Sequence, residues 1–290
     1  MKIVLLGVTG MLGSQMLYEA QNRNLTVDVI LRNDRLLKQH FPNIKDESIH
    51  LIDDIKDFGR LKLLIGEIKP DVVINCVGIV KQSTLASSAY DSALINVYLP
   101  HFLSDCASQN KFQFIHISTD CVFDGQKGNY NETDDSNASD LYGKSKFLGE
   151  VSNPYSVTLR TSIIGHEISK PTFGLLEWFL NSEGDIYGYT NAVFSGVTTN
   201  ELAKIIYDVV IPQNLKGQVY QIASKAINKF ELLKLIGYEY NKQLNIIPVD
   251  KPILDRSLNP SKFEEHTGYI VNQWPDMIKV MNRQFNKRLI

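Results

Sequence analysis

Residues 2–13 read KIVLLGVTGMLG. A run of branched apolar residues stops at Gly7. Gly10 and Gly13 follow at three-residue spacing, and a helical pattern opens behind them. An apolar run without polar interruption suits a strand buried on both faces. Glycine permits a tight strand-to-helix turn, and it lets backbone amides at the positive end of a helix approach a pyrophosphate. Gly7, Thr9, Gly10, Met11, Leu12 and Gly13 are therefore candidate residues for the phosphates of a dinucleotide.

The same alternation continues outward. Runs rich in Val and Ile at 26–31, 49–52, 71–77, 112–118 and 155–161 read as further buried strands, with a helix at 11–23 and longer helical patterns between the later runs. Strands of this kind separated by helices imply a doubly wound, parallel α/β sheet of the Rossmann type. The pattern loosens after about residue 165, where aromatics, Gly and Asn rise in EWFLNSEGDIYGYTNAVFSG. A helix is expected again at 199–210 and a strand at 218–223. The expected division is a dinucleotide-binding domain over 1–164, to which about 193–223 return. A smaller substrate-binding lid is built from C-terminal segments within 165–290. No internal repeat or low-complexity segment interrupts the chain.

Composition narrows the class. Of 290 residues, 43% are hydrophobic and 21% charged, with a net charge of −2, which suits a globular chain and argues against disorder. There is no basic stripe for nucleic acid. The cluster Arg283, Lys287 and Arg288 reads as a solvated terminal helix. The apolar start reads as a strand rather than a secretion signal, because the run stops at Gly7. No run approaches the ~20 apolar residues of a membrane span. Cys76, Cys106 and Cys121 are odd in number and widely spaced, favouring reduced thiols in a cytoplasmic protein over disulfides or a metal site.

Ligands of such sheets bind at the carboxyl ends of the strands. At the end of the second expected strand, VILRN carries Leu31 where an acid for the adenosine ribose is expected, and then Arg32, whose guanidinium suits a 2′-phosphate. Asp54 and Ile55, after the third strand, are expected to flank an adenine. Cys76, Val77 and Gly78 are expected to end the fourth strand beneath the cofactor. In LYGKSKFLGE, residues 141–150, Tyr142 and Lys146 are one helical turn apart and share a face. An ammonium there would lower a phenol that ordinarily titrates near ~10, so that it exchanges a proton with a carbonyl or alkoxide. Lys146 would also hold the nicotinamide ribose. Thr119, at the end of the fifth strand, would hydrogen-bond the same oxygen as Tyr142.

Together these motifs resemble the extended short-chain dehydrogenase/reductase superfamily. More narrowly, ISTDCVFDG, YNETDDSNASDLYGKSKFLGE and LRTSIIG are similar to the dTDP-4-dehydrorhamnose reductase family, with FSGVTTNELA and DRSLNPSKF resembling its late segments. The resemblance implies a cytoplasmic oxidoreductase of polysaccharide biosynthesis. It would reduce the 4-keto group of a nucleotide-linked 6-deoxysugar with NADPH, NADH being the alternative cofactor. No metal is implied, nor any nucleic-acid or membrane partner. A homodimer is expected. The chain departs from the family at Cys121, where a tyrosine is usual, at Ile163, where an aromatic is common, and near Val197, where a proline is expected. These positions surround the sugar pocket, so a related keto-sugar stands beside dTDP-linked 4-dehydrorhamnose.

Two alternatives remain open. Cys121 and His166 resemble the cysteine and histidine of GDP-fucose synthases, which implies proton transfer at carbons beside the ketone and an epimerase or epimerase-reductase. The plain reading leaves Cys121 a packing residue and His166 a loop residue. The superfamily also includes the regulatory subunit of methionine adenosyltransferase, a non-catalytic NADP-binding role.

Overall fold

The structure is a computed structural model, described here over residues 1–81 and 87–288. Its centre is a seven-stranded, all-parallel sheet. In chain order the strands are β1 (Ile3–Leu6), β2 (Val27–Leu31), β3 (Ile49–Leu51), β4 (Val72–Asn75), β5 (Gln113–Thr119), β6 (Ser156–Thr161) and β11 (Gln218–Gln221). Across the sheet the order is β3-β2-β1-β4-β5-β6-β11. Order reverses between β1 and β4, and the crevice at such a point is where these sheets take ligands.

The alternation within β1 shows why both faces must be covered. Ile3 and Leu5 enter one core cluster, Val4 and Leu6 the other. Helices α1 (Met11–Asn22) and α8 (Thr199–Ile205) supply the first cluster. Helices α3 (Phe58–Ile68) and α5 (Leu99–Asn110) supply the second. Between these lie α2 (Arg35–His40) and α4 (Ala89–Ser92), the latter running through a π-helical stretch, 93–98, into α5. The expected helix at 199–210 is α8 continued by a second π-helical stretch, Ile206–Val210. The fourth strand is shorter than its apolar run, because the Asn75 side chain turns back to accept the N–H of Val77 (3.0 Å).

Helix α6 (Leu141–Leu148) follows β5. Beyond β6 come β7 (Ile163–Ile164), α7 (Leu175–Asn181), β8 (Asp185–Tyr189), β9 (Ala192–Phe194) and β10 (Val197–Thr198). After β11 come β12 (Ile227–Asn228), α9 (Lys229–Glu239), β13 (Asn245–Val249), β14 (Leu254–Asp255), α10 (Ser261–Thr267) and α11 (Trp274–Arg288). The small strands form a β12-β9-β14 sheet, a β13-β8 pair and a β10-β7 pair. Phe179, Leu232, Ile236, Trp274 and Met277 from these C-terminal elements belong to the same core cluster as Ile3 and Leu5. Arg283 and Lys287 are exposed on α11. Among the described residues, no helix is long and apolar enough to cross a membrane.

The opening glycines are required by space. Gly7 has φ +78°, and a methyl there would lie 2.8 Å from the Cys76 carbonyl carbon. A methyl at Gly13 would lie 2.0 Å from the Gly7 oxygen. Gly13→Ala should therefore cost more than about 3 kcal/mol, read as a large fall in Tm. Gly66, inside α3, has open space around it. Gly66→Ala should raise stability by roughly 0.5–1 kcal/mol in the same measurement.

Candidate active site

Helix α6 carries the tyrosine and lysine to the end of β5. Its N-cap, Asp140, accepts the N–H of Gly143 (2.8 Å). Two glycines let the helix come close. A methyl at Gly143 would lie 2.2 Å from the Cys121 oxygen, and one at Gly149 would lie 1.8 Å from the Asn96 oxygen. Asn96, in the π-helical stretch, ties the strip after β4 to α6: its side chain accepts from Ile79 N (2.9 Å) and donates to Ile79 O and to Ser145 Oγ (3.0 Å).

Lys146 is 6% exposed and donates to the Ile117 carbonyl (2.7 Å). His116 Nε2 lies 3.5 Å from the same nitrogen, and Asn75 holds the other side of that ring (3.3 Å). Burial brings the ammonium down to about 8, against the opposing pull of Glu150 and Cys76. Burial and Lys146 together push His116 well below its usual value, so it is neutral. Tyr142 is half-buried on the face of α6 that carries Lys146. Burial raises the phenol well above its usual range, with Cys121 adding to the rise and Thr119 opposing it. The expectation that Lys146 pulls the phenol down is not met. Lys146 Nζ is committed to Ile117 O, and Tyr142 stays a protonated phenol, the form that can donate.

Thr119 is the last residue of β5, facing the same edge as the glycine turn. Cys121 is half-buried two residues on, inside the turn 120–122 that the Thr119 side chain caps. Burial, then Asp120, push its thiol up to about 12. Arg256 Nη1 reaches its sulfur (3.5 Å).

His166 has both ring nitrogens bonded elsewhere than to Cys121. Its Nδ1 pairs with Glu177 Oε1 (2.8 Å), its Nε2 with the Tyr240 hydroxyl (2.9 Å), and its ring stacks on Phe285. One nitrogen is thus held by α7 and the other by Tyr240, the residue that caps α9. The chain leaves the main sheet after β6 and carries His166 into that packing.

The proposed cofactor residues lie along the carboxyl edge of β1, β2, β3 and β4. Gly7, Thr9, Gly10 and Met11 are partly exposed, whereas Leu12 and Gly13 are buried. Leu12 is 5% exposed with its side chain in the core, so it can offer a ligand only backbone. Gly10 caps α1 with no side-chain hydrogen bond. Arg32 is exposed after β2, and so is Arg35, which the sequence reading passed over. Asp54 is exposed and bonded to Lys56, while Ile55 packs on the second core cluster. Cys76 and Val77 are half-buried and Gly78 is exposed. A methyl at Gly78 would come 3.9 Å from Lys146 Nζ. The glycine turn and this strip therefore suit a dinucleotide running from Arg32 to Lys146. Among the described residues, no group of three His, Cys, Asp or Glu could hold a metal ion.

Sequence reasoning missed Asn96, His116, Asp120, Lys229 and Arg256. Asp120 had a local signal, a carboxylate directly behind Thr119. His116 lies on β5 itself, three residues before Thr119, while Asn96, Lys229 and Arg256 come from elements distant in sequence and carry no local signal. A cavity of about 440 Å³ between the end of β11 and residues 257–273 is lined by none of Thr119, Tyr142 and Lys146.

A parallel seven-stranded sheet, a glycine turn and a Thr–Tyr–Lys group at its carboxyl edge define an extended short-chain dehydrogenase/reductase-like fold. Within that class, the chain belongs to the RmlD substrate binding domain family, which matches residues 1–250. A dTDP-4-dehydrorhamnose reductase of Aggregatibacter actinomycetemcomitans is 31% identical over 185 residues, 59% of this chain and 62% of that protein's own length. The mouse (Mus musculus) methionine adenosyltransferase 2 subunit beta is 27% identical over 98% of this chain and 90% of its own. In structure, the chain resembles the dTDP-4-dehydrorhamnose reductase of Bacillus anthracis solved in complex with NADP. The TM-score is 0.79 and the identity 18%, over 98% of this chain and 99% of that one.

The thiol environment is testable directly. At pH 8, Cys121 should react with iodoacetamide at least about a hundredfold more slowly than a small free thiol, followed by peptide mass mapping, because so little of it is thiolate. The rate should return to normal in denaturant.

Proposed function

We propose that this chain is an NADPH-dependent reductase of a nucleotide-activated 4-keto-6-deoxysugar, acting in the cytoplasm as a homodimer in the making of surface-polysaccharide sugars. The observation that carries the reading is Tyr142, half-buried one helical turn from buried Lys146, whose ammonium is seated on the Ile117 carbonyl of the strand that ends in Thr119. The reductases of Aggregatibacter and Bacillus anthracis support it, the latter by its NADP complex.

A bound reduced nicotinamide dinucleotide supplies hydride to C4 of the sugar. Backbone of the Gly7–Gly13 turn meets its pyrophosphate at the positive end of α1. Arg32 would hold a 2′-phosphate, Asp54 and Ile55 would hold the adenine, Cys76 to Gly78 would back the nicotinamide half, and Lys146 would hold the ribose. Thr119 and Tyr142 grip the ketone oxygen, and Tyr142 delivers the proton. Segments 165–192 and 224–290 form the lid that takes the nucleotide sugar, with the domain division at about residue 164 and 193–223 returning to the cofactor side. Cys121 enters as a thiol packed by Arg256 rather than as a base.

The test is to offer the pure protein NADPH with UDP-, GDP- and dTDP-linked 4-keto-6-deoxysugars. Reduction of one supports the reading, and reduction of none overturns it. A second reading, a non-catalytic NADP-binding subunit, is favoured by the near full-length match to the mouse subunit beta. It predicts cofactor binding with no turnover on any sugar.

Tyr142→Phe should keep NADPH binding and lose about 10²–10⁴-fold in turnover, the usual worth of a positioned acid. A loss under about tenfold would assign the proton to another group. Lys146→Ala should weaken both cofactor binding and turnover. Arg32→Ala should raise the KM for NADPH by about ten- to a hundredfold, roughly 1.5–3 kcal/mol, and leave NADH nearly unchanged.

A further inference from the structure

Three buried polar side chains, Asn75, His116 and Lys146, meet between β4, β5 and α6. The Val77 N–H donates to Asn75 Oδ1 (3.0 Å), which fixes that amide with its NH2 group toward His116. Asn75 Nδ2 lies 3.3 Å from His116 Nδ1. An amide NH2 only donates, so Nδ1 must accept. Burial and then Lys146 hold His116 well below its usual value, so the ring is neutral. A neutral imidazole carries one ring proton, and here that proton sits on Nε2.

His116 Nε2 lies 3.5 Å from Lys146 Nζ, which also donates to Ile117 O (2.7 Å). An ammonium has three donors and no acceptor. Toward His116 it meets the ring N–H, donor against donor. A neutral amine has a lone pair that accepts this N–H, and it keeps the bond to Ile117 O. The chain from Val77 through Asn75, His116 and Lys146 to Ile117 then has every donor matched to an acceptor. The other groups that face Lys146 are Glu150 and Cys76, and both favour its charged form. Glu150 is already held by Arg160 through two bonds of 2.7 Å. The Cys76 thiol is pushed up to about 12 by burial, so it is uncharged near neutral pH. Burial brings Lys146 down to about 8 against these two. The donor facing it from His116 acts in the same direction as burial.

We propose that Asn75 and His116 are positioning residues for Lys146: Asn75 fixes the His116 tautomer, and the His116 N–H favours the lysine as a neutral amine. The lysine is thereby kept close to the point at which it holds or releases its proton. In the proposed function, on which the meaning of this inference rests, such a lysine can accept from a ribose hydroxyl as well as donate to one. Asn75 and His116 touch neither cofactor nor substrate in this assignment, and they act only through Lys146.

Two measurements on the protein alone test it. Nitrogen NMR of the His116 ring in the unaltered protein should show the proton on Nε2 and none on Nδ1. A proton on Nδ1 overturns the proposal. The second measurement follows the Lys146 side-chain signal, identified by its loss in Lys146→Arg, through a pH titration. Its midpoint should rise by roughly 0.5–1 pH unit in His116→Phe, the shift that a hydrogen bond of ordinary net strength gives. Phenylalanine keeps a ring there but removes the facing N–H. Asn75→Ala should raise the midpoint too, because the ring can then carry its proton on Nδ1 and accept from the ammonium. Added to His116→Phe, Asn75→Ala should shift nothing further. An unmoved midpoint in His116→Phe overturns the proposal. So does an Asn75→Ala shift that persists beside His116→Phe, since Asn75 would then act by admitting water and not through the ring. If the unaltered protein reduces no keto-sugar with NADPH, the reductase reading falls, while these spectra decide the tautomer and the coupling separately.

Discussion

The site depends on the Lys146 ammonium seated on the Ile117 carbonyl. A buried ammonium is costly unless hydrogen-bonded. Glu150, the carboxylate that attracts Lys146, is already held by Arg160 through two bonds of 2.7 Å. The backbone of β5 therefore compensates the charge, and that fixes how α6 lies on the sheet. Everything on that helix face follows, including the position of Tyr142 against Thr119. Gly143 and Gly149 are the steric counterpart, since any side chain at either would hold α6 away from the Cys121 and Asn96 carbonyls.

The loop after β5 is held from the other side by the C-terminal segment. Asp255 N donates to Gly125 O (2.8 Å), Tyr130 N to Ser257 O (2.9 Å) and Asn259 N to Tyr130 O (2.7 Å), while Arg256 donates to Phe123 O. Gly125 and Gly128, both at positive φ, leave room for Leu254 and Asp255. The turn that carries Thr119, Asp120 and Cys121 is thus clamped between α6 and residues 254–259. Val122, Phe123, Tyr130, Ala223 and Leu258 bury together in a small core of their own beneath this clamp.

Cys121 shows how far local reading reaches. The sequence leaves Cys121 open between a packing thiol and a group that moves protons. Its acidity, however, is set first by burial and then by Asp120, and Arg256, which arrives from beyond β14, opposes the rise. His166 follows the sixth strand, and which partners take up its ring, Glu177, Tyr240 and Phe285, is set by segments far along the chain.

The features legible in the sequence are those whose physical cause is local. An apolar run ending in spaced glycines dictates a buried strand and a tight turn, because only glycine fits where a methyl would lie 2.0 Å from Gly7 O. The spacing of Tyr142 and Lys146 places them on one helical face whatever lies around them. Strand order along the chain follows from the alternation of β and α patterns. The tertiary structure decided what depends on burial and on partners far along the chain: a phenol held protonated, a lysine brought down to about 8, a neutral His116, and Lys229 set over the Phe194 ring. Proton affinities are properties of the surrounding dielectric and charges, and those exist only once distant segments have packed together.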